Sequence, residues 1–231
     1  MTRVGGRALR AYRFVIGPLR TNCYLLVSDN EAVIVDPGHV DGLAELYRQA
    51  DRAGVRVKAV VATHGHFDHV LGAKAIIERF KAPFLISELD LGALEHASHH
   101  ARVFLGVRVP CDLPRPDGYL REGSTIEIGS ERLTIIETPG HTAGSICIRC
   151  GNIVLTGDTL FYNSIGRVDL PGSVPHLMPL SIKRLVSLPE ETKVLPGHGR
   201  PTTIGWELKN NRLLRSLLES TTVDQSRRGE A

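Results

Sequence analysis

Little in this sequence points to a membrane, a nucleic acid or a disulfide-stapled fold. None of its apolar runs approaches the roughly 20 residues that a membrane helix needs. Met1 to Arg10 carries three Arg but no following apolar stretch or small-residue cleavage site, so no secretory signal is read and the cytoplasm is the default compartment. The formal net charge is only +3, with pI about 8.7, and the Lys and Arg residues are scattered and form no basic stripe, which disfavours a nucleic-acid partner. Four cysteines, Cys23, Cys111, Cys147 and Cys150, are too few and too dispersed for a disulfide framework. Cys147-Ile148-Arg149-Cys150 spells a C-x-x-C, but it lies in a strand-like run, whereas redox motifs of this form favour a helix start. Cys23, between Asn22 and Tyr24 in an apolar strand, reads as core. There is also no Gly-x-Ser-x-Gly elbow and no convincing nucleophile triad.

What is present is enough apolar material, 42% of 231 residues, to bury a full core in one large domain. That domain is expected over 11–220, between a flexible N-terminus (1–10) and a frayed polar tail (221–231). The 23 Gly and 13 Pro suit many short strands joined by tight turns. Strands are expected at Ala11 to Ile16, Asn22 to Ser28, Ala32 to Val35, Val57 to Ala62 and Phe84 to Ile86. Helices follow from apolar spacing at Val40 to Arg52, stopped by Gly54, and at Val70 to Phe80. Ser87 can cap a helix running to about His96. Arg102 to Gly118, with three prolines, reads as a loop bordering a substrate entrance. Beyond it come strands at Thr125 to Ile128, Leu133 to Glu137, Ser145 to Cys150 and Asn152 to Leu155, then helices at Leu180 to Leu188 and Trp206 to Leu218.

The chemistry concentrates in Thr63-His64-Gly65-His66-Phe67-Asp68-His69. A single His is usually a satisfied surface or core residue. Three imidazoles and a carboxylate within six residues are costly to crowd together without a cation, and their nitrogen and oxygen donors suit zinc, iron or manganese. His64 and His66, two apart at an extended strand end, aim the same way, while Asp68 and His69 belong to the turn that opens a helix. That spacing addresses two points and suggests two adjacent metals. A second patch, His96, His99 and His100, lacks an adjacent strand end and reads as surface residues on a solvated helix terminus.

Three later strand ends repeat the pattern. Apolar runs lead into Pro139-Gly140-His141, Thr156-Gly157-Asp158 and Pro196-Gly197-His198-Gly199, each with one ligand-type side chain beside a glycine that permits a tight turn. Earlier, Asp36-Pro37-Gly38 leaves Asp36 at the mouth of a strand. Independent structural residues have no reason to share this context.

Together, His64-Gly65-His66-Phe67-Asp68-His69, His141, Asp158 and His198 resemble the ligand set of the metallo-β-lactamase superfamily. Thr21-Asn22-Cys23-Tyr24-Leu25, Asp36-Pro37-Gly38, Pro139-Gly140-His141-Thr142-Ala143-Gly144-Ser145 and Gly157-Asp158-Thr159-Leu160-Phe161 are similar to its glyoxalase II branch. The resemblance spans about residues 12 to 205, and since one helix and a tail follow Gly199, it is to short, single-domain members. It implies an α+β fold, a four-layer αββα sandwich of two mixed sheets flanked by helices, with metals at one edge. It implies that His64, His66 and His141 hold one divalent cation, that Asp68, His69 and His198 hold another, and that Asp158 bridges them. Zinc is the default metal, and iron or manganese is compatible.

The activity so implied is hydrolysis of thioesters such as S-D-lactoylglutathione to D-lactate and a thiol, by attack of a metal-bound hydroxide whose pKa the cations lower toward about 7. Asp68 and Asp158 are then catalytic through the metals. Arg167, in Ser164-Ile165-Gly166-Arg167-Val168-Asp169, is placed on a substrate carboxylate, which its fork suits, unless it pairs with Asp169. Asp36 is the first candidate to fix an imidazole tautomer, against simple turn capping. The expected partner is a small-molecule thioester, and the protein a monomer or homodimer. The main alternative is a mononuclear iron persulfide dioxygenase, using two His and an Asp. A nuclease would show an added basic arm, and a non-catalytic relative would have lost ligands.

Overall fold

Alternation within the strands decides the layering. The computed structural model describes residues 9–106 and 113–219. The expectations for residues 1–8, for 107–112 with Cys111, and for 220–231 lie outside the described residues. Strand β1 (Arg10–Ile16) pairs antiparallel with β2 (Thr21–Ser28), which is buried along its whole length. Cys23, Leu25 and Val27 of β2 enter one apolar cluster and Tyr24 and Leu26 another, as a period of two requires. The sheet continues through β3 (Glu31–Val35), β4 (Arg56–Val61), β5 (Phe84–Ile86) and β6 (Gly118–Tyr119), parallel from β3 onward.

A second six-stranded sheet is built from β7 (Thr125–Ile128), β8 (Glu131–Glu137), β9 (Ile146–Cys150) and β10 (Ile153–Gly157). A small hairpin, β11 (Leu160–Phe161) and β12 (Ser164–Ile165), interrupts before β13 (Lys193–Pro196) and β14 (Thr202–Thr203) complete that sheet. Leu26, Val33 and Val61 meet Leu133, Ile135 and Ile148 between the sheets. Each such side chain, fully buried, is worth about 1.5–3 kcal/mol.

Helices cover both outer faces. Leu43, Leu46 and Ala50 of α1 (Leu43–Ala53) pack on the first sheet, with α2 (Phe67–Val70), α3 (Ala73–Phe80) and α4 (Leu91–Leu105). Met178, Ile182 and Leu185 of α5 (Met178–Val186), with Ile204 of α6 (Ile204–Asn210), cover the second. The result is the αββα sandwich expected, two mixed sheets flanked by helices.

Several boundaries differ from the sequence expectation. Arg10 already belongs to β1, so the N-terminal end of the domain starts before residue 11. The single helix expected from Val70 is two, because Gly72 N–H donates to Gly38 O at 2.7 Å, tying the chain to the Asp36-Pro37-Gly38 turn. The helix expected to end near His96 runs to Leu105, since Ala97 and Ala101 continue its buried face. The 102–118 stretch is therefore helical at its start and strand at its end. The last expected helix breaks at Asn211, whose side chain accepts from Leu214 N–H, and helix resumes over 212–219.

Candidate metal centre

Four strand ends deliver the predicted side chains to one point at the edge of the two sheets. β4 ends at Val61 and leads into His64, Gly65 and His66. His66 begins α2, whose first turn carries Asp68 and His69. His141 lies on the β8–β9 connection, Asp158 follows β10, and His198 follows β13.

All seven converge. His66 Nδ1 is 2.9 Å from His141 Nε2 and 3.1 Å from His64 Nε2. His198 Nε2 is 3.1 Å from Asp68 Oδ2 and 3.3 Å from His69 Nε2. Asp158 stands between these two groups, with carboxylate oxygens 3.4 Å from His69 Nε2, 3.5 Å from His141 Nε2 and 3.6 Å from His198 Nε2. The two triads, His64 with His66 and His141, and Asp68 with His69 and His198, each have donor atoms close enough to hold one ion.

The second ring nitrogens of His64, His141 and His198 are anchored. His141 Nδ1 meets Arg167 O at 2.8 Å, and His198 Nδ1 meets Leu19 O at 3.2 Å. Thr63 Oγ1 donates to Asp36 Oδ2 at 2.9 Å, so it accepts from His64 Nδ1–H at 3.1 Å. His69 Nδ1 lies 3.0 Å from Asp36 Oδ2, an ion-pair contact without good hydrogen-bond alignment. Four Nε2 lone pairs are thereby aimed inward, the arrangement that metal-ligating imidazoles use. Asp36 does more than cap its turn, and it does so from a left-handed backbone (φ +52°), which asparagine and aspartate tolerate better than other residues.

Electrostatics point the same way. Burial, then the neighbouring rings, push His64 well below the ordinary histidine value and His66 down to about 4, which keeps their lone pairs free. Burial alone would raise Asp68 and Asp158, but His69 and His198 outweigh it and hold both carboxyls low. His69 is driven well above its ordinary value because Asp36, Asp68 and Asp158 together overcome its burial. Three carboxylates around one buried ring demand positive charge, from a proton or a cation. Asp158 Oδ1 is buried with no hydrogen-bond partner, a site that a cation would satisfy. A Cβ at Gly197 would overlap that same oxygen and His69 Cε1, so glycine keeps the cradle open. The donor set, neutral imidazoles with carboxylates, fits divalent transition metals.

Several residues that hold this site are not assigned a role by sequence reasoning. Asp90, just before α4, accepts from Gly65 N–H (2.7 Å), Thr142 Oγ1 (2.8 Å) and Gly144 N–H (2.7 Å), tying the His64–His66 loop to the His141 loop. Thr21 Oγ1 donates to Asp68 Oδ2 at 2.9 Å, and Asn22 Nδ2 donates to Pro196 O and Gly199 O. The available signal was a polar Thr-Asn pair heading a strand that is otherwise apolar. Arg167 sits at the rim of the cavity over the site, but its Nε and Nη2 both donate to Asp169 at 2.7 Å, so the fork is engaged within the chain. His96 and His99 are exposed as expected, mid-helix and not at a terminus, whereas His100 reaches the cavity.

The sequence profile described as Metallo-beta-lactamase superfamily matches residues 16–198. The chain belongs to this superfamily. A curated superfamily relative, hydroxyacylglutathione hydrolase GloC of Haemophilus influenzae, is 32% identical over 84% of this chain and 93% of its own length. Among solved structures, the BLEG-1 B3 metallo-beta-lactamase shares 32% identity with TM-score 0.81, over 89% of this chain and 99% of its own. TTHA1623 in a di-iron-bound form shares 36% with TM-score 0.78, over 87% and 99%. ETHE1 from Myxococcus xanthus shares 25% with TM-score 0.72, over 88% and 83%. Metallo-β-lactamase membership makes the chain a metal-dependent hydrolase of this fold. No helix among the described residues is long and apolar enough to cross a membrane.

Proposed function

We propose that this chain is a dinuclear metal hydrolase of thioesters, similar in activity to glyoxalase II. His64, His66 and His141 would hold one cation and Asp68, His69 and His198 the other, with the Asp158 carboxylate between the two triads. When bound, the pair supplies an activated water at neutral pH and a Lewis acid for the substrate carbonyl. The chain's own residues do the rest. The Nδ1 anchors at Leu19, Thr63 and Arg167 fix which ring nitrogens face inward. Asp68 is held by Thr21, and the Gly197 turn leaves room for the Asp158 carboxylate. His100 and Arg167 stand at the rim, where a substrate enters.

The observation that carries the dinuclear reading is the Asp158 carboxylate between two complete triads, its Oδ1 buried without a hydrogen-bond partner. A mononuclear iron site would need only two His and an Asp and would leave the second triad idle. The thioester reading is supported by the GloC relative, and the di-iron form of TTHA1623 keeps iron beside zinc as a metal for this centre. The test is metal analysis of purified protein, coupled to thiol release from S-D-lactoylglutathione with and without chelator. Two metals per chain and chelator-sensitive turnover are expected, and Asp158→Ala is expected to fold yet turn over no faster than chelated enzyme. Full turnover in that variant refutes the bridge, and oxygen uptake with glutathione persulfide in place of thioester cleavage selects the dioxygenase.

A further inference from the structure

The cavity above the candidate ligands measures about 520 Å³ and reaches His66, Asp68, His141, Asp158 and His198 at its base. Its walls are carbon. Leu19, Phe67 and Phe104 line it from the first-sheet half of the molecule, and Phe161, Ile165 and Leu170 from the second-sheet half. Phe67 is nearly buried and packs on Phe104 with ring centroids 5.9 Å apart, whereas Phe104 is 57% exposed and Leu19 42% exposed. Large apolar side chains left open around a cleft mark a ligand groove, because they gain burial only when something fills it.

Polar groups for recognition are scarce on these walls. Beyond the candidate ligands, the described lining offers only His100 and Arg167, and Arg167 already gives both arms of its fork to Asp169. A carrier thiol must be polar to be soluble, so the end of a thioester that can match carbon walls is the acyl group. We propose that the substrate is a thioester with an apolar acyl chain, seated against Phe104, Leu19 and Phe67 with its carbonyl at the candidate metal centre. The proposal rests on the thioester reading above and adds the acyl class. A small hydroxylated acyl group such as lactoyl leaves those walls wet, and each methylene that covers them improves binding about fourfold.

The test uses the full metal-loaded chain and acetyl, butanoyl, hexanoyl and octanoyl thioesters of N-acetylcysteamine, whose thiol is small and uncharged. The expected result is a kcat/KM that climbs about fourfold per methylene until the cavity is filled, carried by KM more than by kcat. Phe104→Ser lowers the ratio of hexanoyl to acetyl turnover, and circular dichroism checks that the variant is folded. Flat or falling kcat/KM along the series, with acetyl thioester still cleaved, overturns the apolar preference and leaves thioester hydrolysis standing. If no thioester is cleaved, the functional reading fails, and calorimetry with the S-hexyl and S-methyl thioethers of N-acetylcysteamine decides the acyl preference by itself. Tighter S-hexyl binding that weakens in the Phe104 variant upholds it, and equal binding of the two removes it.

Discussion

At the scale of single residues, the site depends as much on missing atoms as on ligands. Gly197 is pinned by its N–H to Gly157 O and by Asn22 N–H to its own carbonyl, so it cannot retreat from an added methyl group. Gly197→Ala is therefore expected to displace Asp158 and His69, drop bound metal below one per chain, and cost about 1–3 kcal/mol of stability through overpacking. Metal analysis and thermal melts check both, and unchanged metal content would show that the cradle yields more easily than its geometry implies. Asp90 makes the complementary case. Asp90→Asn keeps the shape but turns one acceptor oxygen into a donor, which then faces Gly144 N–H on one side or Gly65 N–H and Thr142 Oγ1 on the other. A loss of about 1–3 kcal/mol is expected, with metal affinity falling about 10–100-fold. A metal titration with the apo variant reads the second effect, which a merely structural role would leave unmoved.

At the scale of elements, what was legible follows from periodicity. β2 could be placed from sequence as an apolar run buried on both faces, and α1 by the helical spacing of Leu43, Leu46 and Ala50 along its one buried face. The candidate ligands were legible for a different reason, since His64, His141, Asp158 and His198 each follow a strand and sit beside a glycine. What stayed hidden depends on contacts between distant segments. Gly72 breaks a helix because Gly38 claims its N–H, and Asp90 closes a loop 54 residues away at Gly144. No local pattern encodes either.

The C-x-x-C motif also resolves at this level. Cys147 and Cys150, three apart in β9, point into different apolar layers and cannot pair. Burial pushes both thiols up to about 12, and Cys23 is likewise raised. An ordinary thiol becomes nucleophilic above about pH 8.5. These three are instead expected to resist iodoacetamide in the native protein from pH 7 to about pH 9.5 and to react only on unfolding. Peptide mapping measures this site by site, and native labelling of Cys147 at pH 8 would contradict the buried strand position.

At the scale of the whole molecule, the candidate centre is a seam. The first sheet contributes His64, His66, Asp68 and His69, and the second contributes His141, Asp158 and His198. Other polar ties cross the same edge, among them Asn22 and Tyr24 to the Pro196–Gly199 turn, Thr142 and Gly144 to Asp90, and Ile146 N–H to Thr63 O. Cations held by both halves would therefore stabilise the packing of the sheets themselves, which is where the Leu26, Val61 and Ile148 core lies. Ligand linkage at a free metal concentration 100 times the dissociation constant adds about 2.7 kcal/mol for each cation bound. For a chain of this length that corresponds to a rise of about 5–10 °C in melting temperature. Removing metal by chelator is expected to lower the single melting transition by that amount for each cation lost, and restoring metal to reverse it. Differential scanning calorimetry decides the point. A melt that is unmoved by full metal removal would mean that the cations sit on a loop that unfolds by itself, and the picture of a seam shared by two sheets would fall with it.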